Sequence, residues 1–230
     1  MEQDFDRFAE NYRQIHTVNV KGIAGVDSYY FAEYKIKELL QFEKNSNSVF
    51  LDLGCGDGAT EFFLQQYFPK IKVHAIDVSA KSIEMAESRR LNNSTFRVFD
   101  GSKIPFSESK FDIVFVAGVL HHVSPVTQKL LLTEINRVLK PGGRLYVFEH
   151  NPLNPFTRYL VMTCEFDKGV KLLSGSYCRS LLVKTGFAVK EFKYTIFFPR
   201  KRMFNSLIKF EKYLSKIPFG GQYYFRAVKP

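Results

Sequence analysis

The chain is short of cysteine. Three occur in 230 residues, Cys55, Cys164 and Cys178. An odd, scattered set supports neither a disulfide framework nor a zinc-binding spacing, and it fits a reducing compartment. Long apolar runs are missing too. The longest, Ile113–Leu120, is far too short to span a bilayer. The opening MEQDFDRFAENYR is acidic and polar, without a basic region followed by an apolar one, so no secretory signal is expected. These absences together make the cytoplasm the expected location. Acidic residues are scarce in the last third. Residues 151–230 hold 15 Lys+Arg against 4 Asp+Glu, whereas residues 1–150 hold 18 against 19. The net charge of +10 therefore resides in the C-terminal part. Its partner is expected to be anionic: a nucleic acid, a membrane surface or an acidic substrate. The plainer reading is a solvated basic surface.

What is present is an alternation of strand and helix signals. No internal repeat or low-complexity segment interrupts it. Short apolar strands are expected at 49–53, 72–76, 95–99, 111–117 and 144–149, and near-continuous apolar strands suit a parallel sheet covered on both faces. Helices are expected at 59–67 (stopped by Pro69), from Ser79 as N-cap to about Leu91, and at 126–139 before Pro141-Gly142-Gly143. Further on come helices at 156–162 and 177–184, a strand at 187–194, a basic helix at 202–215 and a last strand at 222–228. This succession predicts a doubly wound α/β fold with ligands outside the carboxyl ends of the strands.

The segment VFLDLGCGDGAT, residues 49–60, runs from a strand through a glycine-rich turn into a helix. Gly54, Gly56 and Gly58 permit positive φ and close approach of a ligand to the backbone. Their spacing is GxGxG, not the GxGxxG of dinucleotide enzymes. Asp52 lies two positions before the first glycine, where a carboxylate would repel a pyrophosphate but suit a ligand end carrying an ammonium and a sulfonium. An NAD(P) dehydrogenase is disfavoured on both counts. The acidic residue followed by GxGxG resembles the class I S-adenosylmethionine-dependent methyltransferases, in particular their small-molecule branch.

That resemblance implies a Rossmann-like, mostly parallel seven-stranded sheet with a final antiparallel strand and an N-terminal helical cap. The expected division is a cap or lid at 1–44 and a methyltransferase domain at 45–230, with substrate-side insertions at about 151–180 and 195–221. It also implies S-adenosyl-L-methionine as cofactor. Asp52, Gly54, Cys55, Gly56 and Gly58 would cradle its methionine part. Asp77, 19 residues after Gly58, would accept the ribose hydroxyls, with Val78 beside it. Asp100 would take the adenine amino group, with Gly101 and Ser102 nearby; a plain turn aspartate is the alternative. Tyr12, in FDRFAENYR, would approach the methionine end from the cap, and Tyr29-Tyr30-Phe31 would join the same lid. Hydrophobic packing of an amphipathic helix explains both aromatic groups equally well. No metal is expected.

At the methyl end the sequence reads FDIVFVAGVLHHV, residues 111–123. Ala117 closes the strand, and the LHHV that follows resembles the small-molecule branch. A histidine there can act as general base near neutral pH. Adjacent histidines are not expected to point the same way, so His122 is favoured over His121. Glu149, after the fifth strand, could orient a histidine or bind the acceptor. The (D/N)PP(Y/F) of nucleic-acid amino-methyltransferases is missing, so nucleic acid is not the expected substrate. The expected acceptor is a small molecule or a glycan- or lipid-linked precursor, methylated on oxygen. Two further readings stay open: peripheral contact of the basic helix with an anionic membrane, and a non-catalytic or nucleic-acid-binding protein of this fold that uses the basic C-terminal region.

Overall fold

The computed structural model describes residues 6, 25–44, 47–164, 167 and 169–230. One sheet holds seven strands: β1 Val49–Leu53, β2 Lys72–Asp77, β3 Ser94–Val98, β4 Phe111–Ala117, β5 Leu139–His150, β6 Ala188–Thr195 and β7 Gln222–Val228. Their order across the sheet is β3-β2-β1-β4-β5-β7-β6. β1 to β5 run parallel, and β7 lies antiparallel between β5 and β6. The expected doubly wound sheet with a final antiparallel strand is therefore present.

Period-two alternation in the central strands makes the two cores. Leu51, Leu53, Val114, Val116, Leu145 and Val147 face one side, where they meet Leu132, Ile135, Leu181 and Leu182. These last come from helices α4 (Pro125–Val138) and α6 (Gly175–Lys184). Phe50, Phe115, Tyr146 and Phe148 face the other side with Ile36, Leu39, Leu64 and Ile83, from helices α1 (Ser28–Leu40), α2 (Ala59–Tyr67) and α3 (Ala80–Ser88). Each fully buried side chain of this kind is worth about 1.5–3 kcal/mol. A one-residue slip of β1 against β4 would exchange the two faces, so the register Phe50↔Ile113 is strongly set.

Caps fix where the helices begin. Ser79 accepts from Ser82 N at 3.1 Å, and Ser124, before Pro125, accepts from Thr127 N at 3.2 Å. Helix α5 (Pro155–Thr163) starts at Asn154, whose Oδ1 accepts from Thr157 N at 2.9 Å. α3 ends three residues earlier than expected, just before Arg90 takes a positive φ of 52°.

The basic stretch after residue 200 departs from expectation. Instead of one helix at 202–215 it forms a turn at Arg202–Phe204 and two short helices, α7 (Asn205–Ile208) and α8 (Glu211–Leu214). Glu211 is the reason. Its Oε1 accepts from Phe197 N and Phe198 N at 2.8 and 2.9 Å, and both its oxygens pair with Arg200 at 2.8 and 2.7 Å. The segment is thereby folded back on the strand that precedes it. Among the described residues no helix is long and apolar enough to cross a membrane.

The order of strands reverses between β1 and β4. The crevice outside their carboxyl ends, at Gly54 and Gly118, is where such a sheet offers a ligand site.

Candidate active site

The floor of the crevice is the glycine loop. Gly54 has φ +81°, and a Cβ there would stand 2.3 Å from Val119 Cγ2, so only glycine lets the loop pass the β4 turn. Gly56, at φ +54°, has nothing within 4 Å of a would-be Cβ. Its open face leaves backbone bare to a ligand. The loop is pinned from behind by Gly54 N to Ile76 O at 2.8 Å and by Gly56 N to Asp77 Oδ2 at 2.8 Å. Gly58 is the N-cap of α2.

Beneath the loop lie two carboxyl groups. Asp52 is 1% exposed and Glu61 0%. Burial raises both, Asp52 to about 7 and Glu61 well above the usual carboxylate range. Among the described residues neither Asp52 Oδ2 nor either oxygen of Glu61 has a hydrogen-bond partner. Lys35, on α1, joins the same cavity wall; burial pulls it down to about 8 against the opposing pull of Asp52 and Glu149. A buried carboxylate oxygen lacking a donor, next to bare backbone at Gly56, fits the ammonium end of S-adenosylmethionine. Cys55, buried here, has its thiol pushed up by burial.

The second flank carries Asp77, Val78 and Asp100 to Ser102. Asp77 is half-buried, and its Oδ1 accepts from Ser79 N at 3.0 Å. With Gly56 on Oδ2, both its oxygens are engaged, one with the glycine loop and one with the turn after β2. Val78 is 41% exposed, and a Cβ on Gly101 would meet its Cγ1 at 3.3 Å, which leaves a narrow step between the two. Asp100 Oδ1 collects three bonds, from Ser102 N, Ser102 Oγ and Lys103 N, at 2.8, 2.9 and 3.0 Å. This is the turn expected as its alternative role, and it uses one oxygen only. Asp6 accepts from Ser79 Oγ at 2.6 Å, so the chain before α1 touches this flank. Tyr12 lies outside the described residues.

At the far end Ala117 and Gly118 close β4, and a 3-10 turn, Leu120–His122, follows. Glu149 anchors it: Oε1 accepts from Leu120 N at 2.9 Å and Oε2 lies 2.6 Å from His121 Nδ1. Gln128 Nε2 donates to Leu120 O and Val123 O at 2.9 and 3.0 Å. The two histidines do not diverge. Their rings are 4.2 Å apart, and Nε2 of His121 and of His122 lie 3.8 and 3.5 Å from Asp167 Oδ1. The tight turn swings both rings towards one carboxylate, which corrects the expectation that only one faces the site. Burial opposes charge on His121, but Glu149 and Asp167 outweigh it and hold it at about 9. His122 is pushed down to about 3 by burial and by the His121 charge. Burial would raise Asp167, yet the histidines around it hold it at about 2.

One cavity of about 270 Å³ joins these parts. Asp52, Gly54, Cys55, Gly56, Ala117, His121, His122 and Glu149 all line it, whereas Gly58, Asp77, Val78, Asp100, Gly101 and Ser102 do not. Its outer walls are Phe31, Phe156, Leu160, Phe197, Phe198 and Arg200.

Residues 51–147 match the family model described as a methyltransferase domain. Over these residues the chain carries a methyltransferase domain. A demethylmenaquinone methyltransferase of Thermotoga maritima is 33% identical over 65% of this chain and 61% of its own length. The chain thus spans about three fifths of that curated relative. Among solved structures, a SAM-dependent methyltransferase of the same organism has TM-score 0.70 at 20% identity, covering 98% of both chains. The [4+2]-cyclase SpnF has TM-score 0.71 at 17% identity, covering 100% of this chain and 96% of that one. Such likenesses show the fold. A cyclase among them also shows that the methyltransferase fold does not dictate the reaction.

Three residues of this methyltransferase site escape sequence reasoning. Glu61 looks like an ordinary first-turn helix acid. Lys35 is one lysine among several on α1. Asp167 stands alone in EFDKG with no local pattern, and only the fold carries it to the histidines.

Proposed function

We propose that the chain transfers the methyl group of S-adenosylmethionine to an oxygen of a small, largely apolar acceptor, with His122 of the histidine pair taking the acceptor's proton. One observation carries this reading: the unpartnered Asp52 Oδ2 and the two imidazoles line the same cavity. The cofactor, when bound, supplies an electrophilic methyl on its sulfonium. Asp52 would receive the ammonium, and the bare backbone of Gly54–Gly56 would lie along the methionine part. Asp77 and Asp100 would meet ribose and adenine through lone pairs their turns leave over. Ala117 and Gly118 end β4 beside the methyl position. His122, with His121 held by Glu149, would orient the acceptor hydroxyl and accept its proton; positioning of this kind supplies most of the rate.

The acceptor's class follows from the outer walls. Phe156, Leu160, Phe197 and Phe198 are apolar, and a relative named as acting on demethylmenaquinone is in keeping with that. Exposed apolar groups lie on and beside the segments that supply these walls. Phe156, Tyr159 and Met162 are 67, 59 and 78% exposed on one face of α5, and Met203, Phe210 and Tyr213 are 79, 58 and 71% exposed near α7 and α8. Exposed Lys209, Lys212 and Lys216 stand among the second group. Apolar side chains rimmed by lysines suit an anionic bilayer surface, from which a lipid-linked acceptor would enter.

Isothermal titration should give micromolar binding of S-adenosylhomocysteine, and labelled cofactor should pass its methyl to members of an apolar hydroxyl-acceptor panel. Co-sedimentation with vesicles containing anionic lipid should exceed that with neutral vesicles at low salt. Failure to bind S-adenosylhomocysteine overturns the cofactor assignment. Equal partition onto both vesicle types removes the membrane route alone.

A further inference from the structure

Three side chains able to ligate a metal, His121, His122 and Asp167, converge at the far end of the cavity. His121 Nδ1 faces Glu149 at 2.6 Å, which turns Nε2 the other way. His121 Nε2 lies 3.8 Å from Asp167 Oδ1, and His122 Nε2 lies 3.5 Å from the same oxygen. One ligand atom from each residue lies within 4.8 Å of the others.

We propose that His121, His122 and Asp167 bind a divalent first-row transition-metal ion of the zinc type, with its open coordination positions turned to the acceptor cavity. The proposal rests on reading that cavity as the acceptor end. Two histidines and one carboxylate are a donor set such ions favour. Tetrahedral bonds of 2.0–2.1 Å put ligand atoms about 3.4 Å apart; the two distances to Asp167 are already close to that, and turning the imidazoles brings the set, now within 4.8 Å, to the same spacing. Outer support is in place as well. Glu149 fixes the tautomer and ring plane of His121, as carboxylates do behind metal-bound imidazoles, and Glu149 is itself held by Leu120 N at 2.9 Å. His150 adds a third imidazole, its ring centroid 5.5 Å from that of His121.

The cluster draws on three parts of the chain: the turn after β4, the end of β5 and the loop after α5. Both Nε2 atoms belong to residues that line the cavity. An ion held there would leave positions open for an acceptor oxygen or sulfur, and so would orient the atom to be methylated. With the ion in place the imidazoles serve as ligands, and the proton-accepting role assigned to His122 above belongs to the ion-free form.

The test is metal content of the untagged full chain by plasma mass spectrometry, after loading with Zn²⁺ and exhaustive dialysis, with competition titration against a zinc-chelating dye. One equivalent is expected. Asp167→Asn, which keeps the shape of the side chain, should reduce retention to near zero, and Glu149→Gln should weaken it about 10–100-fold. S-adenosylhomocysteine affinity and the circular dichroism spectrum, measured on the same samples, should stay unchanged in Asp167→Asn. A wild-type chain that retains no zinc, or an Asp167→Asn variant that retains as much as wild type, overturns the metal site. Loss of S-adenosylhomocysteine binding by the wild type would instead strike the cofactor reading, which is a separate result.

Discussion

The amide of Gly56 donates to Asp77 Oδ2 at 2.8 Å, across 21 residues of chain. The residue read as the ribose ligand is thus also the clamp of the glycine loop. Asp77→Ala should then act twice. It should weaken S-adenosylhomocysteine binding by at least about 10-fold, and it should lower stability by about 1–3 kcal/mol, since two loop amides lose their acceptor. Titration calorimetry and urea unfolding read the two effects. A variant that unfolds earlier yet binds normally would leave Asp77 as clamp only.

Gly54 is held by sterics rather than by the ligand. Its positive φ and the 2.3 Å approach of Val119 Cγ2 to a would-be Cβ predict that Gly54→Ala costs about 1–3 kcal/mol. Adding Val119→Ala should recover part of the loss, because it removes the clash and leaves the backbone strain. Denaturant unfolding of the single and double variants gives the coupling. Strictly additive losses would mean that the clash is relieved in another way.

These two positions also show what the sequence could and could not announce. β1, α2, β4 and β7 fall on the expected residues because glycine and proline punctuation and short apolar runs are local signals. Asp52, Gly54 and Gly56 come with them, since one strand-turn-helix unit carries all three. The histidine cluster is different. His121 and His122 are visible as a pair, but their convergence needs Asp167, which lies 45 residues further on in a loop without pattern. The basic C-terminal helix fails for a related reason. Its apolar spacing is helical, yet a long-range bond set from Glu211 to residues 197–200 outweighs a four-residue period.

The Asp52–Glu61 pair sets a pH dependence. Asp52 titrates at about 7 in the folded chain, above its ordinary 3.8, because burial disfavours its charge; Glu61 is raised further. Folded values above unfolded ones mean that the fold holds protons the unfolded chain gives up. The stability from this pair is complete below about pH 4 and is lost as pH rises through 7. The slope contributed by each group reaches at most about 1.4 kcal/mol per pH unit. Lys35 works elsewhere: its value of about 8 lies below its ordinary 10.5, so it shapes stability between those two values. Glu61→Gln keeps the shape of the side chain and removes one titration. Urea unfolding at pH 5 to 8 should therefore show a shallower decline in this variant; an unchanged decline would place the proton elsewhere.

Glu211 offers a way to loosen the acceptor wall without touching the cofactor floor. Its side chain and that of Arg200 are 12 and 7% exposed, and it accepts the amides of Phe197 and Phe198 while pairing with Arg200 through both oxygens. Removing one partner of such a pair leaves a buried guanidinium uncompensated, at a cost of about 3–5 kcal/mol. The cost need not unfold the sheet, because 197–211 lies beyond β6 and can open by itself. Glu211→Ala should speed hydrogen exchange at the amides of Phe197 and Phe198 by several orders of magnitude, while β1 and β4 amides keep their protection. S-adenosylhomocysteine affinity should change by less than about 3-fold, since none of the bonds lost reaches the glycine loop. Transfer to an apolar acceptor should fall chiefly through a higher KM, because the lost order lies in the wall that the acceptor touches. A variant with unchanged exchange at these two amides would show that Arg200 and the aromatic side chains hold the wall without Glu211.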